Sequence, residues 1–286
     1  MNLIKTLKSQ KKNLNNEIKG TFAVFDKCWR VCRRYPLSFV FFTFSPLLWL
    51  LPHLLYGTAV TGGRYSLKLE ALIGFGDVLI FTGLGLLFMA FFDRTLWGTS
   101  YSIREEEFLG TLESLYITPV SRFSIIFGNS LFYISQVAVG CTIQMILISV
   151  WYKDSFNFVN MLLATLFVLL AVIMVQSLSL IFTAFVFWQK EGWRFILIVH
   201  SIIYLITPFV FPIVVLPNFL QAIASVNPLT FAIEGFRNAF LYGFSFEILR
   251  YLFVMIIAIP IMILIGSIIF QFAERFLRKK ALLGQY

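Results

Sequence analysis

Apolar residues run through this chain in blocks long enough to cross a bilayer, separated by short polar breaks. Six such segments stand at about 37–57, 71–95, 123–151, 161–188, 194–216 and 249–273. Each is near or above the roughly 20 residues that a helix needs to cover the hydrocarbon core. Ahead of them, Ile18, Phe22, Phe25, Trp29 and Cys32 recur at helical spacing, with Lys19, Lys27, Arg30 and Arg33 on the other faces. That period predicts an amphipathic helix over 14–34 lying on the membrane surface and stopped by Arg34-Tyr35-Pro36.

Two connections are more than loops. Ser102–Arg122 reads SIREEEFLGTLESLYITPVSR and sets Leu109, Leu112, Leu115 and Tyr116 at helical spacing, with Pro119 as a stop, which predicts a short amphipathic surface helix. Thr207–Gly243 is too apolar for an aqueous loop yet contains Pro208, Pro212, Pro217 and Pro228. A straight span does not tolerate that many prolines, so the stretch predicts a broken, re-entrant pair of half-helices entering from outside. The fold expected is all-α and membrane-embedded: six spans, an interfacial N-terminal helix, a surface helix between spans two and three, and half-helices before span six.

Composition agrees with this pattern. Of 286 residues, 59% are hydrophobic and 13% charged, against roughly 45–50% and about 25% in soluble domains. A mean hydropathy of +0.85 with 34 Phe excludes both a soluble globular protein and a disordered one. The apolar runs leave no stretch for a second core, so the expected division is a tail and interfacial helix (1–35), one membrane domain (36–275) and a basic tail (276–286).

The net charge of +9 would fit a nucleic-acid partner only if basic and aromatic residues were interleaved on a soluble face. They are not. Nine basic residues precede Tyr35, and Arg275, Arg278, Lys279 and Lys280 close the chain. Adding Arg94, Arg104, Arg122, Lys190 and Arg194 from alternate connections puts eighteen of the 23 on one side of a six-span topology. The positive-inside rule then makes both termini cytoplasmic, in a plasma or inner membrane. The N-terminal basic region is too long for a signal peptide.

Catalytic groups are sparse. Cys28, Cys32 and Cys141 make no disulfide framework, and Cys28 and Cys32, one turn apart without a nearby His, fit packing better than a metal. Within the apolar runs stand Asp77, near the outer end of span two, with His53 and His200. Asp77 fits an interfacial position or a place on a translocation path, and His200 a hydrogen-bonded interior site or the same path. Glu105, Glu106 and Glu107 read as a solvated acidic patch or a docking surface. Gly74, Gly76, Gly83 and Gly85 permit close contacts in span two. No Gly-Lys dipeptide occurs, so the chain holds no Walker A loop and any ATP must act elsewhere.

Two segments resemble the permease subunits of ATP-binding cassette (ABC) transporters of the second type, a largely export-associated family. GTLESLYITPVSR, Gly110–Arg122, is similar to the family's coupling region between spans two and three. LPNFLQAIASVNPLTFAIEGFRNAFLYG, Leu216–Gly243, is similar to its external stretch before the last span. Tyr35-Pro36 and Pro46 also fit the family's entry into span one, and the likeness runs from about Arg30 to the end of span six. Glu107 departs by standing three residues before Gly110, where relatives often place the acid one or two before it.

The resemblance implies an exporter permease for a hydrophobic or amphiphilic cargo, a drug, a lipid or a lipid-linked glycan. It implies a second permease copy, surrounding lipid, and ATPase subunits that carry ATP and magnesium, with no cofactor and no catalytic residue in this chain. It assigns ATPase coupling to Glu105, Glu106, Glu107, Gly110, Thr111, Leu112, Glu113, Ser114, Leu115, Thr118, Pro119 and Arg122. It assigns an external gate to Pro212, Leu216, Pro217, Asn227, Pro228, Leu229, Thr230, Glu234 and Arg237, with Glu234 and Arg237 paired on one helical face. The alternatives are a stand-alone secondary transporter or channel driven by an ion gradient, and a membrane-embedded enzyme, which the missing nucleophile or metal constellation disfavours.

Overall fold

The computed structural model describes residues 2–118, 121–151, 157–188 and 192–279. The described residues form helices joined by turns and irregular segments, with one isolated bridge between Tyr65 and Asp77. In chain order the helices are α1 (Asn2–Arg34), α2 (Pro36–Thr61), α3 (Leu67–Ile73), α4 (Val78–Ser100), α5 (Ser102–Phe108), α6 (Leu112–Ile117), α7 (Arg122–Trp151), α8 (Phe158–Trp188), α9 (Gly192–Ile206), α10 (Asn218–Val226), α11 (Pro228–Tyr242) and α12 (Phe246–Lys279).

Five of these, α2, α4, α7, α8 and α12, are long and apolar enough to cross a membrane. The expected spans one, three, four and six fall on α2, α7, α8 and α12. Two boundaries differ from the expectation. The second span starts only at Val78, because Gly74 turns the chain at a φ of 73° after α3 and Asp77 caps a new helix. It then runs on to Ser100, which carries Asp93 and Arg94 inside the helix. The expected fifth span, 194–216, is instead the 15-residue α9, ending at Ile206 ahead of Thr207-Pro208, where the proline excludes helix for the residue before it. After the break come a short 3-10 turn at Ile213–Val215 and the helices α10 and α11, hinged at Asn227. The six-span count therefore becomes five long helices and one short one, and the domain boundary expected at 275 falls within α12.

Helix α4 sits innermost, with 67% of its apolar window buried against 11% for α2 and 17% for α12. Its Ile80, Leu84, Leu87, Phe88, Phe92 and Leu96 form the spine of the core, packed by α2, α7 and α8. The outward faces of α2 and α12 keep their Leu, Ile and Phe exposed, the pattern of a lipid-facing wall. Polar contacts join the inner helices: Thr99 of α4 donates to Gln176 Oε1 of α8 (2.9 Å), Ser130 of α7 donates to the same oxygen (2.5 Å), and Gln144 donates to the Gly83 carbonyl (2.9 Å). In an apolar surround such bonds hold helices together where hydrophobic burial cannot.

The predicted amphipathic stripe of α1 divides. Gly20 and Val24 are buried against α7, whereas Ile18 and Phe22 stay exposed. Trp29 closes the joint, its ring 5.5 Å from Phe39 and 5.6 Å from Phe132. A second small core of Val24, Ile103, Ile125, Ile126, Leu180 and Phe270 ties α1, α5, α7, α8 and α12 together at that end of the bundle.

Candidate functional site

At one end of the bundle α4 passes into α5 and then turns sharply. The Thr111 amide donates to the Glu106 carbonyl (2.9 Å) and the Gly110 amide to Glu107 (3.0 Å), a Schellman termination. Gly110 sits at φ 66°, a conformation that strains any residue with a Cβ. In α6 the Ser114 hydroxyl donates to the Thr111 carbonyl (2.8 Å) and Thr118 to Leu115 (2.6 Å), while Leu115 packs against the small core. Pro119 and the side chains of Leu112 and Glu113 lie outside the described residues.

The acidic run before the turn is not the open patch that its sequence suggests. Glu106, its side chain 4% exposed, accepts from Lys27 of α1 and from the Thr111 hydroxyl (2.5 Å). Glu105 accepts from the Tyr133 hydroxyl of α7, and Glu107 from Arg104 (2.5 Å). Consecutive helical residues point about 100° apart, so three adjacent carboxylates cannot share one outward face, and here they meet α1, α7 and their own helix. Burial holds the Glu105 carboxyl above its ordinary value, against the lowering effect of the Tyr133 bond. What faces outward is apolar: Phe108 is 78% exposed and Ile117 87%.

Further ties brace the same corner. The Glu17 carboxylate accepts from Ser121 and from Ser124 (2.6 Å), and Arg122 Nε stands 4.0 Å from Glu274 of α12. Cys28 donates to Asn129 Oδ1 (2.8 Å), and burial pushes its thiol up to about 12, so it acts as a packing group. Among the described residues no set of three His, Cys, Asp or Glu could hold a metal. Glu17, Lys27 and Tyr133 escaped the sequence reading, because their partners lie on other elements.

At the opposite end the α9 break is pinned by one arginine. Arg237 of α11 is buried, and its guanidinium donates to the carbonyls of Phe209 and Pro208 (2.7 Å) while lying 3.8 Å over the Phe81 ring of α4. A Cβ on Gly85 would collide with that Phe209 carbonyl oxygen, so glycine lets the irregular segment approach α4. Asn227 caps α11 through the Leu229 amide (3.1 Å), sets Pro228 at the first turn, and reaches the Thr207 hydroxyl (3.0 Å). Pro217 precedes α10, and Gln221 holds the Leu216 carbonyl (2.7 Å). Leu229 and Thr230 are buried beneath. The expected Glu234–Arg237 ion pair does not form, because the freed carbonyls of a broken helix compete for the guanidinium. Both residues instead line a cavity of about 200 Å³ with Phe81, Pro208, Pro212 and Asn238.

The ionisable groups of the apolar runs separate by role. Asp77 accepts from the Ile80 amide (3.1 Å) and pairs with Arg64 (2.7 Å), which accounts for it as a helix cap. His53 bonds the Trp49 carbonyl of its own helix (2.8 Å). His200 Nε2 meets Asp93 Oδ1 of α4 at 2.6 Å. Asp93 was missed because the helix was expected to end at 95, which made it a boundary charge. The return of apolar residues at Leu96-Trp97 after the charged pair was the available signal.

A buried spine ringed by apolar helices, a braced turn at one end and a pinned break at the other describe a multi-pass membrane protein. A model of the ABC-2 type transporter family matches residues 19–241, and the chain belongs to that family. A protein of Cyanophora paradoxa, named "Putative transport permease ycf38", is 26% identical over 231 residues, covering 80% of this chain and 76% of the relative. The chain is thus the membrane transport subunit of an ABC transporter and not itself an enzyme, in a family whose permeases normally pair with ATPase subunits.

Proposed function

We propose that this chain is the permease of an ATP-driven exporter for a hydrophobic or amphiphilic cargo, with drug, lipid and lipid-linked glycan as the candidate classes. Two permease copies form the path, and two ATPase subunits holding ATP and magnesium drive it from the cytoplasm, where both termini of this chain lie. The membrane is a plasma or inner membrane. The observation that carries the reading is the braced turn at Gly110 in a chain of this family. Glu106 is fixed to Lys27 and Glu105 to Tyr133, so a push on α5 and α6 reaches α1, α7 and α4 as one block. The docking contacts fall on the outward Phe108 and Ile117 together with Glu113 and Ser114, and the acidic run serves as the brace behind them. At the far end, release of the Arg237 clamp lets the segment 207–243 open an exit.

The test is ATP-dependent uptake of a panel of fluorescent amphiphiles by vesicles holding the complete complex. Glu113→Lys is expected to leave insertion and ATP hydrolysis intact and to abolish uptake. Uptake equal to the unsubstituted protein would remove the coupling role.

A further inference from the structure

Asp93 and His200 are ionisable groups inside two apolar helices. Asp93 lies seven residues before the end of α4 and His200 eight residues into α9, about 10 and 12 Å along their helices at 1.5 Å per residue. Neither is near an interfacial end. Among the other ionisable groups away from the helix ends, Arg237 is held by carbonyls, Glu234 lines the cavity beside it, His53 bonds a carbonyl of its own helix, and Arg94, whose charge also acts on its neighbour Asp93, lies with its guanidinium 4.1 Å over the Phe42 ring of α2. Asp93 is different. Its Oδ1 meets His200 at 2.6 Å, its Oδ2 makes no hydrogen bond among the described residues, and its side chain stays 30% exposed. Around it the imidazole stacks on Phe92 (centroids 5.8 Å apart, 19° between planes) and faces Trp97 at 6.2 Å and Tyr204 at 6.5 Å.

An ionisable pair at such depth faces a protein-lined or water-filled space and not lipid tails. Aromatic faces beside a carboxylate attract cations and apolar surface together. Charge and lining therefore select one ligand chemistry. We infer that Asp93, oriented by His200 and walled by Trp97 and Tyr204, is a binding station on the translocation path for the positively charged group of an amphiphilic cargo. In the dimer proposed above, the face of α4 and α9 that carries it lines the path between the two copies. This deepens the exporter reading and rests on it.

The test uses the full-length chain with its co-purifying partners and two ions of matched shape and opposite charge. Equilibrium binding of tetraphenylphosphonium is expected to be saturable and at least tenfold tighter than that of tetraphenylborate. Asp93→Asn is expected to weaken the cation tenfold or more, and Asp93→Glu to recover most of it. The comparison of the two ions needs no variant, so a misfolded Asp93→Asn does not remove the test. Equal binding of the two ions, no saturable binding of either, or cation binding unchanged in a folded Asp93→Asn overturns the station. Any of these in a complex that still hydrolyses ATP and takes up other amphiphiles leaves the exporter reading standing. Asp93-dependent cation binding by a chain with no ATPase partner overturns the exporter reading instead.

Discussion

Gly85 has no side chain where the irregular backbone at Phe209 touches the innermost helix. Adding a methyl group there drives the Phe209 carbonyl away and takes the acceptors from Arg237. Gly85→Ala is expected to destabilise the detergent-solubilised protein by about 1–3 kcal/mol, the range for overpacking a tight contact. A thermal unfolding midpoint equal to that of the unsubstituted chain would show that the break does not depend on this contact. Glu105 supplies a pH test. Its carboxyl is raised by burial, so the folded chain binds that proton more tightly than the unfolded chain. Stability from this group is then fully present below the ordinary carboxylate value and falls as pH climbs through the raised one. Glu105→Gln keeps an acceptor for Tyr133 and removes the titration. It is expected to unfold at a higher temperature than the unsubstituted protein at about pH 8, with the gap closing toward about pH 4; a gap that widens on acidification contradicts the assignment.

At the scale of elements, helices are joined by polar bonds as well as by shape. Gln176 Oε1 accepts from both Thr99 and Ser130, so Gln176→Leu leaves two buried hydroxyls to find other acceptors. The expected loss is about 0.6–1.7 kcal/mol, typical of hydrogen bonds between membrane helices, read as a lowered midpoint in detergent; an unchanged midpoint would mean that the hydroxyls turn back to their own helices without loss. The spans were legible because runs of Leu, Ile and Phe state the bilayer's thickness, whereas the surface helix expected across Ser102–Arg122 breaks into two at Gly110, since Leu109, Leu112, Leu115 and Tyr116 keep helical spacing through a residue whose φ of 66° ends the first helix. Helix ends were less so: Asp93-Arg94 looked like a loop charge, and nothing local announced that Asp93 would find His200 more than a hundred residues away. The acidic run misled for the same reason, since Lys27 and Tyr133 are its neighbours only after folding. Pairing Glu234 with Arg237 followed helical spacing, which cannot anticipate the carbonyls that a proline break exposes.

At the scale of the molecule, the bundle links a braced turn to a pinned break through α4, which touches both. The outward Phe108 and Ile117 offer an apolar grip for a partner on the turn. Replacing both with Ser is expected to leave the bundle folded, because neither belongs to its core, and to weaken partner retention at least tenfold in a pull-down; full retention would move the docking surface elsewhere. The central claim is that energy enters from a separate ATPase. The most direct measurement is to purify the tagged chain from its native host in mild detergent, identify what accompanies it in stoichiometric amount, and assay ATP hydrolysis. The account predicts an ATPase subunit whose hydrolysis co-purifies with the chain. A chain that purifies alone, hydrolyses nothing and carries flux on an ion gradient without ATP would contradict it.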